Sequence, residues 1–209
     1  MFILYNIMQV ENIKPHHHRD WLSELPPEKQ AQIRKLQDSR EQLSSLIGLQ
    51  LLKTGMRLLG QLHFQLNNLQ FSERGKPHAE SPVYFNISHA GSVIACALSK
   101  SGPIGLDLEP KRPKTWPTLK PYFNQEELHL INKEPDNLTR LWTRKEAVVK
   151  AYGDKGLEDI AAVKLNGTEA TLYESKWQLY DIPLHEDYYA HTAVNSALEE
   201  LTLCEIELP

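Results

Sequence analysis

The chain has 209 residues, 41% hydrophobic and 24% charged, which suits a globular protein with a sizeable core; its net charge of −4 argues against a general nucleic-acid binder, which carries a basic excess. Cys96 and Cys204 are too few for a disulfide framework and stand in apolar, strand-like text, so two reduced thiols are expected. No apolar run reaches membrane-spanning length, and Met1 to Val10 lacks the basic start of a signal peptide; a first strand, a cytoplasmic location and no membrane contact are expected.

Phe2 to Met8 predicts a strand. Pro15-His16-His17-His18-Arg19-Asp20 breaks that pattern, and its adjacent histidines lack the i,i+4 spacing of a helical metal site, so the segment is expected to be a solvated turn. Pro26-Pro27 opens a helix with Glu28 in its first turn, where a carboxylate suits the dipole. Helical text runs to about Leu59 with a break near Gln37-Asp38-Ser39, and Leu43, Leu46, Ile47, Leu51 and Leu52 form its core stripe. Gly75-Lys76-Pro77 marks a turn. Val83 to Ser88, Ser92 to Ser99 and Ile104 to Glu109 read as strands whose short, glycine-containing links suggest antiparallel pairing.

Pro110 to Pro121 carries four prolines and is expected to be irregular. Asn124 to Asn132 predicts a helix with Glu126 and Glu127 in its first turn. A longer helix begins at Pro135-Asp136 and stops at Tyr152-Gly153. Ala170 to Tyr173, Lys176 to Ile182, Tyr188 to Val194 and Leu201 to Leu208 read as strands. The order strand, helices, strands occurs twice. It predicts an α+β protein of two similar halves, residues 1–102 and 103–209, each an antiparallel sheet packed with helices, with a pseudo-twofold between them.

Two clusters carry chemistry. In Gly105-Leu106-Asp107-Leu108-Glu109, strand alternation puts Asp107 and Glu109 on one face, where a shared cation relieves their repulsion; a solvated outer face is the bland alternative. On a wheel at about 100° per residue, Asp136 to Tyr152 gathers Leu138, Leu141, Trp142, Val148, Val149 and Tyr152 in an apolar sector. Glu146 and Lys150 lie at its edge, either a routine surface pair or part of a site. Lys145 falls inside the sector, so it must snorkel or meet an anion; charges crowding this edge suggest that it lines a site. Together the clusters offer three carboxylates suited to Mg²⁺ and a lysine suited to a phosphate. Lys76 on a tight turn, and the hydroxyl and imidazole of Ser88 and His89, suit phosphate oxygens as well. Ser88 and His89 point apart in an extended strand and are badly placed to act as a nucleophilic dyad.

In order, Gly75-Lys76-Pro77, Phe85-Asn86-Ile87-Ser88-His89-Ala90-Gly91, Gly105-Leu106-Asp107-Leu108-Glu109, Tyr122-Phe123-Asn124-Gln125-Glu126-Glu127 and Trp142-Thr143-Arg144-Lys145-Glu146-Ala147-Val148-Val149-Lys150 resemble the signature blocks of the 4′-phosphopantetheinyl transferases. About a hundred residues precede Asp107, which resembles the long, Sfp-type branch, a monomer whose two halves hold the site between them, and not the short trimeric branch. The resemblance implies transfer of 4′-phosphopantetheine from coenzyme A to a serine of an acyl or peptidyl carrier protein, releasing 3′,5′-ADP. By matching position it implies that Asp107, Glu109 and Glu146 hold Mg²⁺ (Mn²⁺ being the alternative), and that Glu146 is the candidate base. It also implies that Lys150 assists departure of 3′,5′-ADP and that Lys76, Ser88 and His89 contact the nucleotide and its phosphates.

Relatives commonly carry a phosphate-binding arginine where Ser44 stands here; Arg40, one turn earlier on the same helix face, and Lys29 are the expected substitutes. Carrier proteins of this kind share an acidic recognition helix, which makes Arg112, Lys114, Trp116 and Lys120 candidates for docking. Two other classes compete: a non-catalytic module binding coenzyme A or a carrier, and a Mg²⁺-dependent nuclease or phosphohydrolase. The first is disfavoured by the presence of all three acidic groups and Lys150, the second by the acidic net charge.

Overall fold

The computed structural model describes residues 1–9, 13–111, 116–153, 156–196 and 200–208. The chain forms two compact units, Met1–Lys100 with Glu200–Pro209, and Ser101–Glu199. The expected division at 102 differs in its tail. The last segment returns to the first unit because β11 (Thr202–Glu205) pairs parallel with β1 (Phe2–Ile7), a partnership across about two hundred residues.

The first unit is built on a four-stranded sheet of order β11-β1-β5-β4, with β4 at Tyr84–Ala90 and β5 at Val93–Ser99. Helix α3 (Ser39–Leu58) packs on this sheet. Asp38 caps it by accepting from the Arg40 N–H at 2.8 Å, satisfying one orphan donor of the first turn. The stripe Leu43, Leu46, Ile47, Leu51 and Leu52 is buried, as periodicity predicts. Close approach is set by two helix glycines. A Cβ at Gly48 would stand 2.7 Å from Ile87 Cγ2, and one at Gly55 2.6 Å from Leu98 Cδ1. Helix α2 (Pro27–Lys35) precedes α3, and the break falls at the expected place.

The histidine segment differs from expectation. Pro15–Ser23 is a helix, α1, with Pro15 in its first turn and Trp21 and Leu22 buried at its end. A proline at the first helical position starts a helix as readily as it breaks a strand, and the buried Trp21 and Leu22 anchor the helix to the core. A two-stranded ribbon, β2 (Gln70–Phe71) with β3 (Pro77–His78), carries the Gly75-Lys76-Pro77 turn.

The second unit holds an antiparallel sheet of order β6-β10-β9-β8-β7. Its strands are β6 (Ile104–Pro110), β7 (Lys164–Asn166), β8 (Glu169–Leu172), β9 (Ser175–Asp181) and β10 (Tyr188–Val194). Strand β6 therefore pairs with β10 and does not continue the β4–β5 hairpin, which the short link at 100–103 had suggested. A short helix α4 (Trp116–Leu119) and a 3₁₀ turn at Lys120–Tyr122 occupy part of the proline-rich segment expected to be irregular. Helix α5 (Gln125–Lys133) opens with a reciprocal capping box. The Glu127 N–H donates to Asn124 Oδ1 at 2.9 Å, and the Asn124 N–H donates to Glu127 Oε2 at 2.8 Å. Helix α6 (Asn137–Tyr152) lies across β6 and β10, and a short α7 (Leu157–Ile160) follows it.

Candidate active site

The site grows from the contact between β6 and α6. Alternation along β6 puts Gly105, Asp107 and Glu109 on one face. That face lies under α6 and is not a solvated surface. A Cβ at Gly105 would be 2.0 Å from the Ala147 carbonyl oxygen and 2.4 Å from the Ala151 nitrogen, so only glycine admits the helix at this distance. Asp107 is consequently 3% exposed, a carboxylate held between helix and sheet.

Such a group needs a partner, and α6 provides it. Lys150 Nζ lies 2.5 Å from Asp107 Oδ1 and 3.7 Å from Glu146 Oε2. Burial pulls the Lys150 ammonium toward neutrality, but Asp107, Glu146 and Glu109 together outweigh it and raise its pKa above the ordinary lysine value. Lys150 therefore stays a cation at neutral pH, surrounded by the three carboxylates singled out in the sequence. Among the described residues, no group of three or more His, Cys, Asp or Glu is gathered to hold a metal ion. The three acidic residues share one electrostatic neighbourhood, with Asp107 and Glu146 both paired to Lys150. As donors, carboxylates suit a hard cation such as Mg²⁺.

Lys145 has a different role from the one its position on the wheel suggested. It is 1% exposed and, of the two expected alternatives, meets an anion and does not snorkel, but the anion is Glu127 of α5, at 2.9 Å. Its ammonium also donates to the carbonyls of Tyr122 at 3.0 Å and Val163 at 3.1 Å, and lies 5.6 Å from the Phe123 ring centre. Lys145 fastens α5 and the chain after α7 to α6; it does not line the site.

A polar chain under α6 was not singled out in the sequence. His191 of β10 stands directly opposite Asp107 in the sheet register. Its Nδ1 is 2.6 Å from Thr143 Oγ1 of α6, and its Nε2 is 3.1 Å from Asp181 Oδ1 of β9. Burial, with help from Arg144 and Arg140, outweighs the pull of Asp181 and lowers the His191 pKa to about 4. The available signal was a histidine inside the strand-like run Tyr188 to Val194. At the far end of α6, Tyr173 sits in the β8–β9 turn with φ of 54°, and its hydroxyl donates to Asp159 Oδ1 at 2.5 Å. Asp159 Oδ2 accepts from the Gly156 N–H at 3.1 Å, tying down the start of α7.

The family model for the 4′-phosphopantetheinyl transferase superfamily matches residues 103–199, the stretch that contains this site. The 4′-phosphopantetheinyl transferase Sfp of Bacillus subtilis (strain 168) is 30% identical over 163 residues, covering 74% of this chain and 71% of that protein. The chain belongs to the 4′-phosphopantetheinyl transferase superfamily.

Other relatives agree. The 4′-phosphopantetheinyl transferase gsp of Aneurinibacillus migulanus is 26% identical over 195 residues, covering 87% of this chain and 81% of that protein. The 4′-phosphopantetheinyl transferase AcpT of Escherichia coli O157:H7 is 36% identical over 108 residues. That match covers 47% of this chain and 55% of AcpT, so the chain spans little more than half the length of that relative.

The first unit of this superfamily member carries the residues singled out in the sequence for phosphate contact. Ser88 is buried on β4 and His89 is exposed, so the two point to opposite faces. Lys76 lies on a turn closed by the Ser72 N–H donating to the Lys76 carbonyl at 3.0 Å and by the Lys76 N–H donating to Ser72 Oγ at 3.1 Å. Lys29 Nζ is 4.7 Å from the Phe71 ring centre, and burial lowers its pKa. Phe71 pairs with Pro77, so the lysine at the start of α2 is held beside the ribbon that presents Lys76. Arg40 is exposed in the first turn of α3, and Ser44 is 3% exposed. Lys120 is exposed; Arg112 and Lys114 lie outside the described residues, as does the side chain of Trp116. Among the described residues no helix is long and apolar enough to cross a membrane.

Proposed function

We propose that the chain transfers 4′-phosphopantetheine from coenzyme A to a serine hydroxyl of an acyl or peptidyl carrier protein and releases 3′,5′-ADP. The observation that carries this reading is the Lys150 ammonium held at Asp107, with Glu146 and Glu109 acting on it, inside the stretch that matches the family model. A carbon–oxygen framework on the pantetheine side is untouched. The serine oxygen bonds to the β-phosphorus of coenzyme A, the bond from that phosphorus to the bridging pyrophosphate oxygen breaks, and the leaving group departs with the charge.

In this reading Asp107, Glu109 and Glu146 would hold Mg²⁺, which when bound would neutralise charge on the pyrophosphate oxygens. Lys150 supplies a fixed positive charge to the leaving phosphate; a compact ammonium does this without fork geometry. Its raised pKa supports that role, since the charge persists at neutral pH. Glu146, partly exposed on α6, is the base proposed for the serine proton. Lys29, Arg40, Lys76, Ser88 and His89 are proposed to contact the nucleotide and its phosphates, with Arg40 replacing the contact absent at Ser44. The chain is proposed to act as a cytoplasmic monomer.

The test is mass spectrometry of a panel of apo-carrier proteins incubated with coenzyme A, Mg²⁺ and the chain. Wild type should add one phosphopantetheine, and Asp107→Ala or Glu146→Ala should abolish the gain while circular dichroism remains folded. A full mass gain with either variant refutes the assignment, and release of 3′,5′-ADP without carrier would indicate hydrolysis. If Arg40→Ala leaves the coenzyme A KM unchanged, the proposed compensation fails.

A further inference from the structure

We propose that the buried Thr143 and His191, with the exposed Asp181, form a positioning chain that sets the helix of Glu146 and Lys150 against the strand of Asp107. The inference rests on the transferase reading for its kinetic consequence and on geometry alone for its hydrogen-bond content.

The proposed site is assembled from two elements. Asp107 and Glu109 belong to β6, and Glu146 and Lys150 to α6. Bringing them together requires α6 to keep one rotation and one axial position over the sheet. Apolar packing is poor at fixing either, because it is non-directional. Gly105 fixes the separation by letting the Ala147 carbonyl come down onto the strand. A directional contact must fix the rest, and one pairs the two elements at the right level. His191 is the cross-strand partner of Asp107, so both side chains leave the same face of the sheet in one row. Thr143 precedes Glu146 by three residues and Ala147 by four, so it lies on the helix face turned to that row. The 2.6 Å contact between Thr143 Oγ1 and His191 Nδ1 therefore joins the turn before Glu146 to the row of Asp107.

The direction of each bond follows from donor inventory. Asp181, when ionised, only accepts, so the His191 Nε2–H donates to it across 3.1 Å. A neutral imidazole with its proton on Nε2 has only an acceptor left at Nδ1. The Thr143 hydroxyl supplies the proton. That hydroxyl also lies 3.0 Å from the Thr139 carbonyl and 3.1 Å from the Arg140 carbonyl, the usual back-bond of a threonine in a helix. It has one hydrogen, and the imidazole contact is the shortest of the three. The neutral state agrees with the lowered pKa of this ring. Thr143 is fully buried and His191 is 1% exposed, so water does not compete for these groups. Asp181, at the rim of the sheet with its side chain 82% exposed, orients the ring from outside.

The three are positioning residues and act through Glu146, Lys150 and Asp107. The experiment compares Thr143→Val, which keeps the shape and removes the hydroxyl, with Thr143→Ser, which keeps the hydroxyl. Thr143→Val should lower kcat about ten-fold or more with the coenzyme A KM nearly unchanged, because misplacement of reacting groups costs rate steeply, and Thr143→Ser should restore most of it. A merely structural role would lower the melting temperature of both variants and leave kcat of the folded fraction alone. Wild-type kcat in Thr143→Val, or an equal loss in Thr143→Ser, overturns the inference. Nitrogen-15 NMR of the His191 ring in the wild-type chain does not depend on catalysis. It should show a proton on Nε2 and a hydrogen-bonded, unprotonated Nδ1 whose resonance moves in Thr143→Val. A proton on Nδ1 overturns the inference, whereas absence of transfer by wild type with every carrier overturns the functional reading.

Discussion

Each unit lays one long helix on an antiparallel pair of strands, and the two solve the problem of close approach in opposite ways. In the first unit the glycines are on the helix: Gly48 and Gly55 of α3 leave room for Ile87 and Leu98 of the sheet. What they meet are side chains, which can shift. In the second unit the glycine is on the strand, and Gly105 of β6 meets the backbone of α6. The buried faces differ as well. Those of α3 are almost entirely apolar, with Ser44 and Gln50 as its buried polar residues, whereas α6 buries Thr139, Thr143 and Lys145 and holds Lys150 on Asp107. Apolar packing stabilises α3 and tolerates small displacements. The second helix trades that tolerance for directional contacts, each of which needs its partner in place. Such a trade is expected where a helix has to position charged groups and not only cover a sheet.

The largest effect should come from the buried ion pair. Lys145→Ala leaves Glu127 buried without its cation, which costs about 3–5 kcal/mol, measured by urea unfolding. A second change, Glu127→Gln, should recover much of that loss, since the amide oxygen still accepts from the Asn124 N–H in the capping box. In α3 the matching experiment is Leu52→Ala, which costs about 2–5 kcal/mol through the cavity it leaves and which no change of charge nearby recovers. If Glu127→Gln gives no recovery, the contrast between a charge-held and an apolar helix fails.

How far the sequence revealed this arrangement follows from the range of the interactions. The paired carboxylates on β6 and the Glu146–Lys150 spacing on α6 are local, period-two and i,i+4 patterns, and both were readable. That Lys145 had either to snorkel or to meet an anion was readable too, because a lysine in an apolar sector cannot be left alone. That the anion is Glu127 depends on α5 docking, which no local pattern encodes. Thr143, His191 and Asp181 come from a helix and two strands, and each alone looks ordinary. The return of β11 to β1 joins the two ends of the chain, and the three histidines of α1 hid a helix start behind an apparent loop.

Acidification should weaken the second unit next. The His191 pKa is about 4 in the folded chain against about 6.5 when exposed. The unfolded chain therefore takes up a proton that the folded chain refuses between these values. Stability from this group is complete above about pH 6.5, falls as pH drops toward 4, and changes no further below that. At about 1.4 kcal/mol per pH unit across this interval the loss is on the order of 3–4 kcal/mol. Urea titrations of wild type and His191→Asn from pH 7 to 4 measure it as the difference in slope, since carboxylate titrations common to both cancel. Parallel curves would mean that the ring is not held neutral beneath α6.

The glycines give the smallest change in stability and the closest test of the comparison. Gly105→Ala must push against the Ala147 carbonyl and the Ala151 nitrogen, and overpacking of this kind costs about 1–3 kcal/mol. Gly55→Ala pushes against the ends of the Leu98 side chain and gains up to about 1 kcal/mol of helix propensity, so its net cost should be smaller. The two should separate further in activity. Lifting α6 moves Lys150 and Glu146 away from Asp107, so Gly105→Ala should lose transfer by far more than its unfolding free energy implies. Gly55→Ala lies in the other unit's core and should keep kcat near wild type in the folded fraction. Equal losses of transfer in the two variants would mean that the spacing between α6 and β6 does not control the chemistry, and that the strand glycine is only another packing accommodation like those of α3.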